Sequence, residues 1–136
     1  MLKKIIFAGL MIATLAVAVA VYLYNKPVEG IGSMKTDMRI SSMSLLEDYE
    51  ADEQKANSNY LDKVLEVTGS VSKVETKDDI TSVYLETANP ISNVIIQLEE
   101  TDTIVAEGDD VIVKGVCTGY LMDVVLIRGK VIDDKK

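Results

Sequence analysis

The sequence predicts a mainly β protein: a small closed five-stranded Greek-key barrel, preceded by an α-helix and carried on an N-terminal transmembrane helix. Three observations lead there. Residues 5–24 carry no charge. From Ser44 the apolar residues recur every three or four positions. From Val64 to Val131 that spacing falls to two, in five short runs divided by turn residues.

The first element is the apolar run Ile5–Tyr24, 20 residues in which Gly9 and Thr14 alone fall outside the strongly apolar and aromatic set. At about 1.5 Å per residue a helix of this length spans roughly 30 Å, the thickness of the bilayer hydrocarbon. Lys3 and Lys4 precede it, and Tyr22 and Tyr24 stand where interfacial aromatics belong. Ala18-Val19-Ala20 matches the small-x-small pattern of a signal-peptide cleavage site. The apolar run is longer than a signal peptide needs and continues past that site, which favours an uncleaved signal anchor over residues 1–25. The lysines preceding it favour the amino terminus inside and the rest outside the cytoplasm, in the periplasm if the cell is Gram-negative.

Residues 26–43, rich in Gly and Ser after Pro27, read as a flexible tether. Met34, Met38 and Met43 are spaced along it without His or Cys, which points to chance rather than to a soft-metal site. The domain proper is expected over 44–134. Ser44 and Glu47 fit a capping box, and Leu45, Leu46, Tyr49, Ala56 and Tyr60 form an interrupted apolar stripe, so one helix is expected from Ser44 to about Asn57–Leu61.

The strands follow. Leu65, Val67, Gly69 and Val71 alternate with polar residues, and Lys77-Asp78-Asp79 turns the chain. Thr81, Val83 and Leu85 make the second strand, and Asn89-Pro90 the next turn. Val94, Ile96 and Leu98 make the third. Glu99–Ala106 is a polar connector with room for one helical turn. Glu107-Gly108-Asp109 leads into the fourth strand, where Val111, Val113, Gly115 and Cys117 share a face. A loop over Thr118–Asp123 precedes the fifth strand, Val124–Val131. Gly69 and Gly115 fall mid-strand, as glycines do where a small barrel coils sharply.

Composition limits the chemistry. The 136 residues include no His, no Trp and one Cys, so His-based triads, most zinc sites and an internal disulfide are out of reach. From Ser44 to Lys136 there are 20 acidic residues against 9 basic ones, a net of −11, which works against binding a polyphosphate. Cys117 shares strand parity with Val111 and Val113 and reads as a buried small hydrophobe rather than a nucleophile. Asp109-Asp110 and Asp133-Asp134 lack the spaced oxygen ligands of a calcium loop. No cofactor or metal site and no catalytic constellation is expected.

Three segments resemble one family. Asn59–Gly69, Glu107–Gly115 and Val116–Leu126 are similar to the opening strand, the entry to the fourth strand and the following segment of the tRNA_anti-like family of OB-fold domains. The resemblance covers about residues 44–132. It implies an OB-fold and a bacterial envelope setting, and it implies no activity. OB-folds that bind oligonucleotides use the face of strands 2 and 3 and its flanking loops. On that face Tyr84 is the single aromatic, while Asn93, Ile95 and Gln97 add no cation. Tyr120, Leu121 and Met122 cluster before strand 5, either plugging a barrel end against the Ser44 helix or forming an exposed partner site. The reading is a membrane-anchored, non-enzymatic module binding protein or another envelope component through Tyr84, Tyr120, Leu121 and Met122. Single-stranded nucleic acid is the alternative, which the charge disfavours.

Overall fold

The computed structural model describes residues 1–26, 30–100 and 104–135. The apolar run forms α1 (Leu2–Asn25), a 24-residue helix long and apolar enough to cross a membrane. A signal sequence would satisfy the same criterion.

The predicted tether is largely part of the fold. A short 3-10 turn over Ile31–Ser33 buries Ile31 completely, and β1 (Met38–Ser41) pairs in parallel with the first barrel strand. The intervening residues are pinned too. Thr36 donates to Glu66 at 2.7 Å, and the backbone N–H of Val64 donates to the Asp37 carboxylate at 2.9 Å. Pro27–Glu29 lie outside the described residues.

The leading helix is two helices, α2 (Ser42–Ala51) and α3 (Glu53–Tyr60). The N-cap is Ser41 rather than Ser44: its hydroxyl accepts from the Ser44 N–H at 3.2 Å, so the predicted Ser44–Glu47 capping box does not form. The break falls where the apolar stripe is interrupted, between Tyr49 and Ala56. Asp52 adopts an extended conformation there and caps α3 through the Lys55 N–H at 3.1 Å. The bend lets Leu45, Leu46 and Tyr49 of α2 and Ala56 and Tyr60 of α3 all reach one core.

Five strands close the barrel: β2 (Val64–Lys77), β3 (Ile80–Leu85), β4 (Val94–Leu98), β5 (Asp110–Leu121) and β6 (Asp123–Lys135). Their order is β2–β3–β4–β6–β5, with β2 also pairing β5, and β1 added beside β2. All pairings are antiparallel except β1–β2 and β4–β6. The period-two residues point inward as expected: Val83, Leu85, Val94, Ile96, Val113 and Leu126 are fully buried. Asp78 and Asp79, with φ of 51° and 64°, make a two-residue hairpin of the type whose twist suits flanking strands. Thr101–Thr103 of the β4–β5 connector lie outside the described residues.

The mid-strand glycines mark close approach. A Cβ on Gly69 would come within 2.6 Å of the Ser42 hydroxyl, which is itself held by the Glu86 carbonyl at 2.6 Å. On Gly115 it would lie 3.2 Å from the Ile127 carbonyl, where the β5–β6 register shifts. The loop predicted over Thr118–Asp123 is instead strand. β5 runs to Leu121 and reverses at Met122, whose φ of 68° makes the tight turn.

Candidate partner-binding face

The register of the sheet builds the outer face of the barrel. Lys73 lies opposite Tyr84, Tyr84 opposite Ile95, and Ile95 opposite Val125, a row across β2, β3, β4 and β6. Their neighbours in sequence, Val83, Val94, Ile96, Val124 and Leu126, face the core, so this row faces out. A second row, Glu75–Ser82–Gln97, runs beside it. Together with Lys77, Asp78, Ile80 and Tyr84, these three residues line an open depression of about 420 Å³.

Tyr84 is held from two sides. Its hydroxyl donates to Glu75 at 3.0 Å, and the Lys73 ammonium stands 5.1 Å from its ring centroid, where the negative face of the ring attracts a cation. Lys73 also reaches Glu75 at 3.4 Å. Partial burial, and then the Glu75 carboxylate accepting its proton, raise the Tyr84 phenol above its ordinary range. Glu75 is lowered in turn, by the Tyr84 hydroxyl first and by Lys73 next.

The four sequence-selected residues divide. Leu121, 89% exposed, and Met122, 64% exposed, form the tip of the β5–β6 hairpin at the edge of this face. The tip is tied to it through Asp123, which accepts from the Asn93 N–H at 2.7 Å and whose charge acts on Tyr84. Tyr120 turns the other way. It packs on the core and stacks on Tyr49 of α2 with ring centroids 5.7 Å apart, so it plugs the barrel end. Tyr84, Leu121 and Met122 therefore border one face, and Tyr120 does not contribute to it.

Behind Tyr120, Tyr49 and Cys117 meet in the core, with Oη and Sγ 3.4 Å apart. Burial, and then Cys117, raise the Tyr49 phenol far above its usual range, while burial and Asp48, which accepts from Tyr60 at 2.5 Å, push Tyr60 up to about 12. Tyr49 and Cys117 are sealed in the core, away from any substrate. Among the described residues no cluster of His, Cys, Asp or Glu is placed to hold a metal ion. Met34, Met38 and Met43 are dispersed: the Met34 carbonyl accepts from Lys114, Met38 is in β1, and Met43 is on α2.

Sequence reading missed the Lys73–Tyr84–Glu75 clasp. Its signal was present: counting outward from the Asp78-Asp79 turn pairs Lys77 with Ile80, Glu75 with Ser82 and Lys73 with Tyr84, and the register shifts only beyond Lys73.

Comparison with known proteins bears on the fold. The sequence profile of the tRNA_anti-like family matches residues 1–131. A candidate nucleic acid-binding lipoprotein from Klebsiella pneumoniae has a similar structure, with a TM-score of 0.59 at 16% identity, covering 79% of this chain and all of the lipoprotein. A candidate aspartyl-tRNA synthetase from Leishmania major aligns at a TM-score of 0.48 and 13% identity, over 91% of this chain and 27% of the synthetase. No curated protein matches in sequence.

Proposed function

The chain belongs to the tRNA_anti-like family, and from that premise we propose that it is a membrane-anchored, non-enzymatic OB-fold module. It binds protein or another envelope component through the outer face bordered by Tyr84, Leu121 and Met122. The observation that carries this reading is the state of Tyr84. A base-stacking platform needs an open aromatic face and nearby free cations. Here Lys73 covers the ring, and both Lys73 and the hydroxyl are engaged by Glu75. What the face offers instead is the Ile95–Val125 strip and an exposed apolar hairpin tip, features that suit a protein contact. The sequence has no His, so neither a His general base nor a His metal ligand stands on this face.

Single-stranded nucleic acid is the second reading, because the lipoprotein of similar structure is described as a candidate nucleic acid-binding protein. A fluorescence anisotropy titration separates the two. The protein is expected to show no saturable binding to single-stranded DNA or RNA at micromolar concentration in about 150 mM salt, where non-specific binders reach roughly 10⁻⁴–10⁻⁶ M. Micromolar binding that weakens with salt, and that Tyr84→Ala reduces, would put the nucleic acid reading first.

A further inference from the structure

Ile31 fixes the point where the connection to the anchor ends. It is fully buried, its N–H donates to Glu99 at 3.4 Å, and a Cβ on the next residue, Gly32, would meet the Lys130 side chain at 3.1 Å. Helix α1 ends at Asn25, so six residue steps, about 20 Å at full extension, separate the end of the anchor from a fixed place on the barrel. A compact domain of this size has a radius of gyration of about 13 Å and is roughly 30–35 Å across. The far side of the barrel therefore cannot rest on the bilayer, because that would lift Ile31 by a whole diameter, beyond the reach of the chain.

The topology says which side is far. The turn at Ile31–Ser33 lies over β5 and β6, and β1 pairs with β2. In the closed ring β2–β3–β4–β6–β5, the two strands that do not adjoin β5 are β3 and β4. Tyr84 and Ile95, on the outer surface of β3 and β4, thus face away from the segment Ile31–Ser41.

Charge is distributed along the same axis. Lys35, Asp37 and Arg39 stand on the segment itself, and Lys114 and Arg128 reach Met34. Glu66 pairs with Arg39, Glu99 with Arg128 and Glu100 with Lys130. This face therefore holds five cations and four carboxylates and is close to neutral. Among the other described side chains from Ser42 to Ile132, four lysines stand against fourteen carboxylates. Beside an anionic surface every other side of the domain is repelled, and charges more than about 10 Å away are screened. Lys35 is exposed and pairs with no carboxylate among the described residues, so it is available to a headgroup.

We propose that the face carrying Ile31–Ser41 is a lipid-contact surface, which lies against the anionic phospholipid headgroups of the bilayer that holds α1. Lys35 and Arg39 lie at the headgroup layer, and the Tyr84 face is turned outward, where a partner can reach it. The short connection limits the orientation, and the charge asymmetry selects within that limit.

The test holds the full isotope-labelled chain in nanodiscs of phosphatidylcholine, with about one phosphatidylglycerol in three lipids and a trace of gadolinium-chelating lipid. Amide relaxation enhancement then reports distance from the headgroups. It should be about tenfold greater over Ile31–Ser41 than at Tyr84 and Ile95, because it falls with the sixth power of distance and the two faces lie roughly a barrel diameter apart. In phosphatidylcholine alone the contrast should drop at least about twofold, and Lys35→Glu should do the same in the anionic discs. Lys55→Glu makes the same charge change on α3 and should leave the contrast unchanged. Equal enhancement of the two faces, or greater enhancement at Tyr84, overturns the proposal. A contrast indifferent both to lipid charge and to Lys35→Glu overturns it too, since the face would then be tethered without touching lipid. The inference rests on the membrane-anchored reading, and co-elution of the chain with the discs reports the anchor separately. A chain that stays with the discs and shows equal enhancement sinks the orientation alone, whereas a chain that leaves them sinks the anchor as well.

Discussion

Cys117 illustrates how one side chain is specified. Alternation from Val111 placed it in the barrel, and it is fully buried. Alternation could not show that its sulfur would meet the Tyr49 hydroxyl, since that contact joins β5 to a helix 68 residues earlier. The contact changes what substitution should do. In a wholly apolar site a serine hydroxyl would cost about 1–3 kcal/mol. Here Tyr49 can partner it, so Cys117→Ser should cost about 1 kcal/mol, chiefly for the shorter side chain. Cys117→Val fills the space but leaves the Tyr49 hydroxyl unpaired, and should cost more, about 1–3 kcal/mol. Urea unfolding of the two variants gives the comparison. A valine variant as stable as wild type, or fast alkylation of the native protein by a water-soluble maleimide, would show that the sulfur is not part of a sealed core.

Among the elements, the segment over Ile31–Ser41 behaves as a strap across the outside of β2, β5 and β6. Ile31 is buried, Lys114 is almost fully buried with its ammonium donating to the Met34 carbonyl, and Glu66 accepts from both Thr36 and Arg39. Lys114→Met should remove that anchor and, at about 1–3 kcal/mol for a buried bond left unmade, raise hydrogen exchange over residues 31–41 while β3 and β4 stay protected. Acid should act on the same element. The Thr36 hydroxyl first, then Arg39, hold the Glu66 carboxyl below its usual range. That contribution is complete above the ordinary carboxyl pKa and is lost as pH falls through the lowered value. Strap exchange that is unchanged by Lys114→Met and by acid would show that the segment is held by its strand pairing alone.

This element also marks the limit of sequence reading. The five barrel strands announce themselves because each alternates over at least five residues between turn signals, and hairpins are local. β1 has four residues and is joined to β2 in parallel across α2 and α3, so no turn identifies its partner. Ile31 is a single apolar residue among glycine and serine, indistinguishable by pattern from linker. The candidate face was legible in part for a similar reason: Tyr84 follows from a two-residue hairpin, whereas a register shift between Cys117 and Gly119 turned an expected loop into strand and sent Tyr120 inward, away from Leu121.

At the scale of the whole molecule, the docked strap shortens the connection to the membrane. If residues 26–43 swung freely, an extended chain could carry the domain about 60 Å from the end of α1, at about 3.3–3.6 Å per residue. With Ile31 fixed on the barrel, only the steps from Asn25 to Ile31 remain, a reach of about 20 Å. We propose that the anchor is retained, with its lysines inside, so the barrel is held close to the outer surface of the membrane. Spheroplasts treated with proteinase K test side and reach together. The expected product is a soluble fragment whose N-terminus falls between residues 26 and 31, because the chain beyond is bonded to the domain. A fragment starting near residue 44 would mean that the strap is open in the membrane-bound protein. Full protection in intact spheroplasts would place the domain inside, and a mature protein beginning at Val21 would mean that the helix is a cleaved signal sequence and that no anchor remains to hold the barrel there.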